Sequence, residues 1–116
     1  MKIIIVGNGK VGFTLAEQLV NEDHDVTIVD DNEAALERAS NMLDVMPVRG
    51  NGVSAAVLRE AGVETADILV AATSLDEVNM VCSLTARNMG TKYTIARIRT
   101  PEYYANLGDI KQELGI

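Results

Sequence analysis

The fold of this chain is decided by its opening residues, Met1-Lys2-Ile3-Ile4-Ile5-Val6-Gly7-Asn8-Gly9-Lys10-Val11-Gly12. The apolar run before the glycines predicts a strand that is buried on both faces, as in the centre of a parallel sheet. The glycines follow the Gly-x-Gly-x-x-Gly spacing. In that pattern Gly7 allows a tight turn, Gly9 lets a pyrophosphate approach the backbone, and Gly12 lets the next helix pack closely on the strand. The stretch therefore predicts a nucleotide-binding turn.

The following residues supply the context that this motif requires. A helix is predicted over 10–21, and its N-terminal N–H groups would face the phosphates. A strand over 25–30 ends at Asp30, 18 residues after Gly12, close to the offset of about 20 residues expected of a ribose-binding acid. Asp30 would accept hydrogen bonds from both ribose hydroxyls and repel a 2′-phosphate, which favours NAD(H) or an adenosine nucleotide over NADP(H). Its alternative role is a helix N-cap or a solvated acid.

Strand and helix patterns alternate along the rest of the chain. Helices are predicted over 32–42, 54–61, 76–89, 102–107 and 109–114, and strands over 45–49, 67–72 and 93–99. Pro47 lacks a donor for the sheet, so its strand should lie at an edge. The predicted fold is α/β, a Rossmann-like doubly wound parallel sheet of order 3-2-1-4-5 in which the usual sixth strand is missing or truncated.

Helical spacing also predicts which side chains are buried and where one helix is capped. Ser74-x-x-Glu77 reads as a capping box for the helix over 76–89. The expected buried positions are Val11, Leu15 and Leu19 on the first helix and Val78, Val81, Cys82, Thr85 and Met89 on the helix over 76–89.

Composition limits the classes of function. The 116 residues suggest one domain, 1–116, which we expect to be part of a longer chain. A net charge of −7 argues against nonspecific binding to nucleic acid or to an anionic membrane. The single Cys82 cannot form an internal disulfide and fits a reducing, cytoplasmic setting. The chain has no apolar run of about 20 residues that could span a bilayer, and because Met1 leads directly into the first strand we expect no signal peptide.

Further polar candidates are predicted at the carboxyl ends of the strands, where ligands bind in such sheets. Asn51 and Gly52 would lie near an adenine, while Thr73 and Ser74 would lie near the ribose or the second phosphate. Lys10 would neutralise a phosphate or remain solvated. Arg97 and Arg99 follow one face of the last strand, which we expect to be near-central. There they require a bound phosphate, a carboxylate or a neighbouring subunit.

Catalytic groups are scarce in the sequence. His24 is predicted at the end of the sheet away from the glycines, and Cys82 lies on an apolar helix stripe. Tyr103 and Tyr104 have no lysine four residues later, and metal-ligand spacing is absent. The sequence thus predicts a nucleotide site without catalytic machinery.

Several segments together resemble the N-terminal domain of the TrkA family of potassium-uptake regulators, called RCK-N or KTN. They are the opening stretch, Val29-Asp30, Leu58-Arg59-Glu60-Ala61-Gly62, Ala66-Asp67, Ala72-Thr73-Ser74-Leu75-Asp76-Glu77-Val78-Asn79-Met80 and Ala96-Arg97-Ile98-Arg99. The resemblance implies a non-enzymatic, cytoplasmic regulatory subunit that docks on a membrane potassium transporter at the inner face of the membrane. It also implies homo-oligomers, from dimers to rings, and binding of NAD or NADH, with ATP, ADP or AMP as other ligands. The implied site comprises Gly7, Asn8, Gly9, Lys10 and Val11 at the phosphates, Asp30 at the ribose, then Thr73, Ser74 and Arg97.

Two other interpretations remain open at this point. The chain could be the cofactor-binding half of an NAD-dependent dehydrogenase, because the glycine loop fits that class equally well. It could also be a dimerisation module with a vestigial site, in which the arginines of the last strand pair across an interface.

Overall fold

The computed structural model describes residues 1–103 and 105. Strands and helices alternate through this part of the chain. They are β1 (Lys2–Val6), α1 (Lys10–Asn21), β2 (Asp25–Asp30), α2 (Glu33–Met42), β3 (Met46–Arg49), α3 (Ala55–Ala61), β4 (Ile68–Ala71), α4 (Asp76–Met89) and β5 (Tyr93–Ala96). All strand pairs are parallel, and the order is β3-β2-β1-β4-β5. The predicted fold class and sheet order are confirmed.

The central strand β1 is buried on both faces, as its apolar run predicts. Ile3 and Ile5 pack in one cluster with side chains of α1 and α2, and Ile4 and Val6 pack in a second cluster with side chains of α3 and α4. All four are at most 2% exposed. Because full burial of such a side chain contributes about 1.5–3 kcal/mol, β1 anchors both layers of the fold. It also fixes where the glycine loop begins.

Two helix starts and one helix end follow from local side-chain chemistry. The Asn32 side chain accepts a hydrogen bond from the Ala35 N–H at 3.0 Å and caps α2, and Ser54 caps α3 through the Val57 N–H. Gly62 ends α3 in the left-handed conformation, with φ of 95°. These residues set the helix bounds that the sequence predicted.

Three strands are shorter than predicted, and β5 lies at a sheet edge rather than near the centre. β3 begins at Met46, and β4 spans only Ile68–Ala71. β5 ends at Ala96 instead of Arg99. The reason is that the N–H groups of Arg99 and Thr100 donate to the carboxylate of Asp76 and do not pair with a strand.

Two side chains predicted to be buried are exposed. Val11 is 43% exposed because it faces the cleft described below, and Val81 is 48% exposed. Polar Asn79 and Ser83 are buried on α4 instead, alongside Cys82. The apolar pattern of α4 was therefore correct at Cys82 and wrong at Val81, and it missed Asn79, whose hydrogen bonds are satisfied inside the protein.

The predicted capping box at α4 is wrong. Ser74 is exposed, and Leu75 occupies the N-cap position without a side-chain hydrogen bond. Because the helix begins at Asp76, Glu77 is its second residue and not the third that a capping box needs. The Thr73 hydroxyl accepts from the Leu75 N–H instead, at 3.2 Å.

A helical stretch begins at Pro101, one residue before the helix predicted over 102–107, and residues 101–103 and 105 are helical. The remainder of the helix predicted over 102–107 and all of the helix predicted over 109–114 lie outside the described residues. Within the described part of the chain, no helix has the length and apolarity required to cross a membrane.

Candidate functional site

A cleft of about 630 Å³ opens at the carboxyl ends of β1, β2 and β4, where the strand order reverses. All the predicted site residues except Gly12 line it. They are Gly7, Asn8, Gly9, Lys10, Val11, Asp30, Asn51, Gly52, Thr73, Ser74 and Arg97. The parallel register aligns the strand ends, so residues far apart in sequence meet at one edge.

Gly7 and Gly12 are required by the packing of the loop itself. Gly7 adopts φ of 102°, and a Cβ there would lie 2.9 Å from the backbone nitrogen of Thr73. A Cβ on Gly12 would overlap the carbonyl oxygen of Gly7. The turn and the close helix approach predicted for these glycines are therefore observed.

Gly9 differs, because among the described residues no atom outside Gly9 and its two chain neighbours lies within 4 Å of the position that a Cβ would take. Gly9 is also the N-cap of α1, and no side chain caps this helix. An uncapped helix start has N–H groups that need acceptors, and its dipole favours an anion. The open space at Gly9 fits a ligand that brings phosphate oxygens to the backbone.

Asp30 lies half-buried in the cleft and holds the glycine loop. Its carboxylate oxygens accept one hydrogen bond each, from the Asn8 N–H at 2.7 Å and from the Asn32 N–H at 2.8 Å. A carboxylate offers about four acceptor positions, so capacity remains for ribose hydroxyls. The N-cap alternative is wrong, because Asn32 caps α2. The sequence did not reveal that Asp30 also orders the loop.

Asn8 joins the glycine loop to α2. Its Nδ2 donates to the Ala35 carbonyl at 2.6 Å, while its Oδ1 is buried and has no hydrogen-bond partner among the described residues. Because buried acceptors are normally satisfied, this oxygen calls for a donor such as a ligand hydroxyl or a water. This second feature of the cleft also fits a bound nucleotide.

Asn51 and Gly52 line the cleft, and each has a structural reason to be there. The Asn51 side chain accepts from the Val53 N–H at 3.0 Å and orders the loop. A Cβ on Gly52 would overlap the side chain of Val6. Contact of these two residues with an adenine stays a prediction.

Thr73 and Arg97 are linked by Asn79, which was not among the predicted site residues. Asn79, fully buried on α4, accepts from the N–H and the hydroxyl of Thr73 at 2.9 and 2.6 Å. It donates to the carbonyl of Thr73 at 3.1 Å and to that of Arg97 at 2.8 Å. Asn79 lies in one of the segments that resemble the TrkA family. An amide on the core-facing side of a helix was the sequence signal that could have identified it as a functional residue.

The cleft concentrates positive charge in an acidic chain. Among the described residues that line it, Lys10, Arg38 and Arg97 are basic and Asp30 and Asp31 are acidic, whereas the whole chain has 10 basic and 17 acidic residues. Arg38 was not predicted. It lies on α2, three residues after Ala35, and that helical spacing brings it to the same edge. The balance of charge suits an anionic ligand.

The candidate catalytic groups lie elsewhere. Nδ1 of His24 is 3.1 Å from the amino-terminal nitrogen. Cys82 is fully buried, and burial raises its pKa to about 12, which keeps the thiol protonated and unreactive. In the part of the chain that the structure describes, no group of three or more acidic, histidine or cysteine side chains could hold a metal ion.

Asp76, at the start of α4, gives the stability of the protein a testable pH dependence. The Thr100 hydroxyl and the Arg99 N–H hold its pKa below the ordinary value of 3.8, because they bond to the charged form. The stability from these bonds is present above about pH 4 and is lost as the pH falls through the lower folded-state pKa. We expect the difference in unfolding free energy between the wild type and Asp76→Asn to shrink below about pH 4.

Urea unfolding at about pH 7, 5 and 3 measures this difference. Asp31→Asn removes one charge from an exposed acid and serves as the matched control. An Asp76→Asn difference that stays constant across the three conditions would contradict the assignment.

Comparison with known proteins places the chain in a family. The TrkA-N domain model matches residues 3–115. The "Trk system potassium uptake protein TrkA" of Vibrio alginolyticus is 48% identical over 106 residues, which are 90% of this chain and 23% of that protein. The chain thus spans about a quarter of the length of such relatives. They are named as potassium-uptake proteins and not as enzymes, so the dehydrogenase alternative is not supported.

Solved structures show the same fold. The TrkA-N domain of the inner membrane protein ybaL from Escherichia coli superposes with a TM-score of 0.85 at 22% identity, over 98% of this chain and 82% of that one. A GsuK channel bound to NAD superposes with a TM-score of 0.80 at 24% identity, over 98% of this chain and 20% of that one. With the family model matching nearly its whole length, the chain belongs to the TrkA-N domain family.

Proposed function

We propose that residues 1–116 form the nucleotide-sensing domain of a cytoplasmic subunit that regulates a membrane potassium transporter, with NAD(H) or an adenosine nucleotide as its ligand. The observation that supports this most strongly is the cleft, in which an open glycine loop, a carboxylate with spare acceptor capacity and three basic side chains surround one space. The names of the curated relatives support the link to potassium uptake.

Each part of the cleft has a distinct role in this proposal. The start of α1 and the backbone at Gly9 bind the phosphates, and Lys10 and Arg97 neutralise their charge. Asp30 accepts hydrogen bonds from the ribose hydroxyls, and its charge disfavours a 2′-phosphate. A bound nucleotide supplies the anionic and hydroxyl groups that connect these elements. We further propose that Asn51 and Gly52 contact the adenine.

The regulatory step follows from differential binding. Copies of the domain assemble into a dimer or a larger ring at the inner face of the membrane, and the ring has more than one shape. A nucleotide whose contacts differ between these shapes shifts their populations. The transporter responds to the shape. No reaction is required, which agrees with the absence of His24 and of the buried Cys82 from the described residues that line the cleft.

Melting experiments with Gly9→Ala test the binding proposal. We expect NADH at about 100 times its Kd to stabilise the wild type by about 2.7 kcal/mol, which raises Tm by on the order of 10 °C. The variant should melt within about 2 °C of the wild type without ligand, because the added methyl group meets no atom and φ at this position is −81°. With NADH its Tm should not rise, since the methyl group occupies the space for the phosphates.

The same series with NAD+, ATP, ADP and AMP ranks the ligands. A Gly9→Ala variant that gains as much stability from NADH as the wild type would show that the phosphates do not lie at Gly9. A wild type that gains none from any of the five nucleotides would overturn the proposed function.

A further inference from the structure

We propose that Asn79 positions Arg97 at the nucleotide cleft and, together with Asp76, couples occupancy of the cleft to the segment 97–103. The inference rests on the function proposed above. Neither Asn79 nor Asp76 lines the cleft. Both are therefore positioning residues that act through others.

The first step is the complete bonding of the Asn79 side chain. Its oxygen accepts two hydrogen bonds and its nitrogen donates two, which uses every donor and acceptor position of the amide. The residue is 0% exposed. A movement of Thr73 relative to Arg97 would break at least one of these bonds where water cannot replace it. The two cleft residues are thereby held in one relative position.

The second step concerns the backbone of Arg97. Its N–H donates to the Ala71 carbonyl of β4 at 2.9 Å. Its carbonyl accepts from Asn79 at 2.8 Å. The peptide groups on both sides of the residue are therefore fixed, one by the sheet and one by α4. Without the Asn79 hydrogen bond, the peptide group that contains the Arg97 carbonyl could rotate. The arginine side chain would then no longer be held in one direction.

The third step concerns further contacts between α4 and the residues that follow Arg97. Together with the Asn79 hydrogen bonds, we call these contacts the clamp. The Asp76 carboxylate accepts from the Arg99 N–H at 2.9 Å and the Thr100 N–H at 2.7 Å. The Tyr103 hydroxyl donates to Oε1 of Glu77 at 2.7 Å. The first turn of α4 thus holds the segment 97–103 at four points, beginning with a residue of the cleft. A contiguous network of this kind can carry a change from the cleft to the segment.

Hydrogen exchange of single amides in the whole chain, measured by NMR, tests the coupling. The Arg99 and Thr100 amides report opening of the clamp, because they are its donors. If opening destroys the nucleotide site, NADH at about 100 times its Kd slows their exchange by up to about 100-fold. The Tyr93 amide, bonded to the Asp67 carbonyl at the other end of β5, is the reference and should slow less. Equal slowing at both ends, or none at Arg99 and Thr100, would overturn the proposal.

A double-mutant cycle separates positioning from a general loss of stability. Arg97→Ala should weaken NADH binding by about ten-fold in the wild type. In Asn79→Ser, whose shorter side chain cannot reach the Arg97 carbonyl, the same substitution should weaken it by less than about three-fold. Asp67→Asn removes a carboxylate at the opposite end of β5 and is the matched control, in which Arg97→Ala keeps its full effect.

Equal losses from Arg97→Ala in the wild type and in Asn79→Ser would contradict the positioning role. If Asn79→Ser does not fold, the exchange measurement on the wild type still decides the coupling. A wild type that binds no nucleotide refutes the proposed function, whereas binding without coupling refutes only this inference.

Discussion

Replacing Gly12 with alanine is expected to destabilise the chain by about 3 kcal/mol and to abolish NADH binding. The new methyl group would overlap the Gly7 carbonyl oxygen, which is a backbone atom and cannot rotate away. Helix propensity predicts the opposite sign, because alanine inside a helix is favoured over glycine by about 0.5–1 kcal/mol. A decrease in the free energy of unfolding would therefore show that the close contact between α1 and the loop outweighs helix propensity at Gly12, and an increase would show the reverse.

Urea unfolding of Gly12→Ala beside Gly9→Ala measures the effect. The second variant adds the same methyl group three residues earlier, in open space, and its stability should change by less than about 0.5 kcal/mol. A Gly12→Ala variant as stable as the wild type would contradict the close packing of the glycine loop on α1.

Replacing Asp30 with alanine is expected to lower the affinity for NADH by about 100-fold or more. The variant would lose the two charge-assisted hydrogen bonds that we propose between Asp30 and the ribose, each worth about 1.5–3 kcal/mol. It also releases the Asn8 N–H from the carboxylate and so loosens the glycine loop. Asp25→Ala, at the amino end of the same strand, is the matched control and should bind NADH as the wild type does.

A ligand that lacks one hydroxyl separates the ribose contact from the loop contact. The wild type should bind 2′-deoxy-ATP about ten-fold more weakly than ATP. Asp30→Ala should bind the two ligands equally. If the variant still prefers ATP, another residue binds the 2′-hydroxyl, and Asp30 acts only by holding the loop.

The layered fold could be predicted because its signals are local. The apolar run of β1 depends on near neighbours in the chain, and so do the caps at Asn32 and Ser54, which begin the helices predicted over 32–42 and 54–61. The end of β5 depends instead on Asp76, which lies about twenty residues earlier and captures the N–H groups of Arg99 and Thr100. Such a tertiary contact leaves no periodic trace in the sequence.

The candidate site divides in the same way. The glycine loop and Asp30 follow a spacing rule, so their meeting could be predicted from parallel strand ends. Arg38 was missed because its place depends on how α2 rotates over the sheet. Asn79 was missed because an amide can be buried only where the surrounding groups satisfy its hydrogen bonds. Those groups belong to Thr73 and Arg97, which follow β4 and β5.

The most direct test of the nucleotide site is an NMR titration of the isotope-labelled wild-type chain with NADH. We expect saturable shifts of the Gly7, Gly9 and Thr73 amides at one ligand per chain, and no shift of the His24 amide at the opposite end of the sheet. Saturation would yield the Kd, and competition by ATP would show that both ligands use the same cleft. A spectrum that NADH leaves unchanged, or shifts confined to residues outside the cleft, would contradict the account and would favour the interpretation of the glycine loop as a vestige.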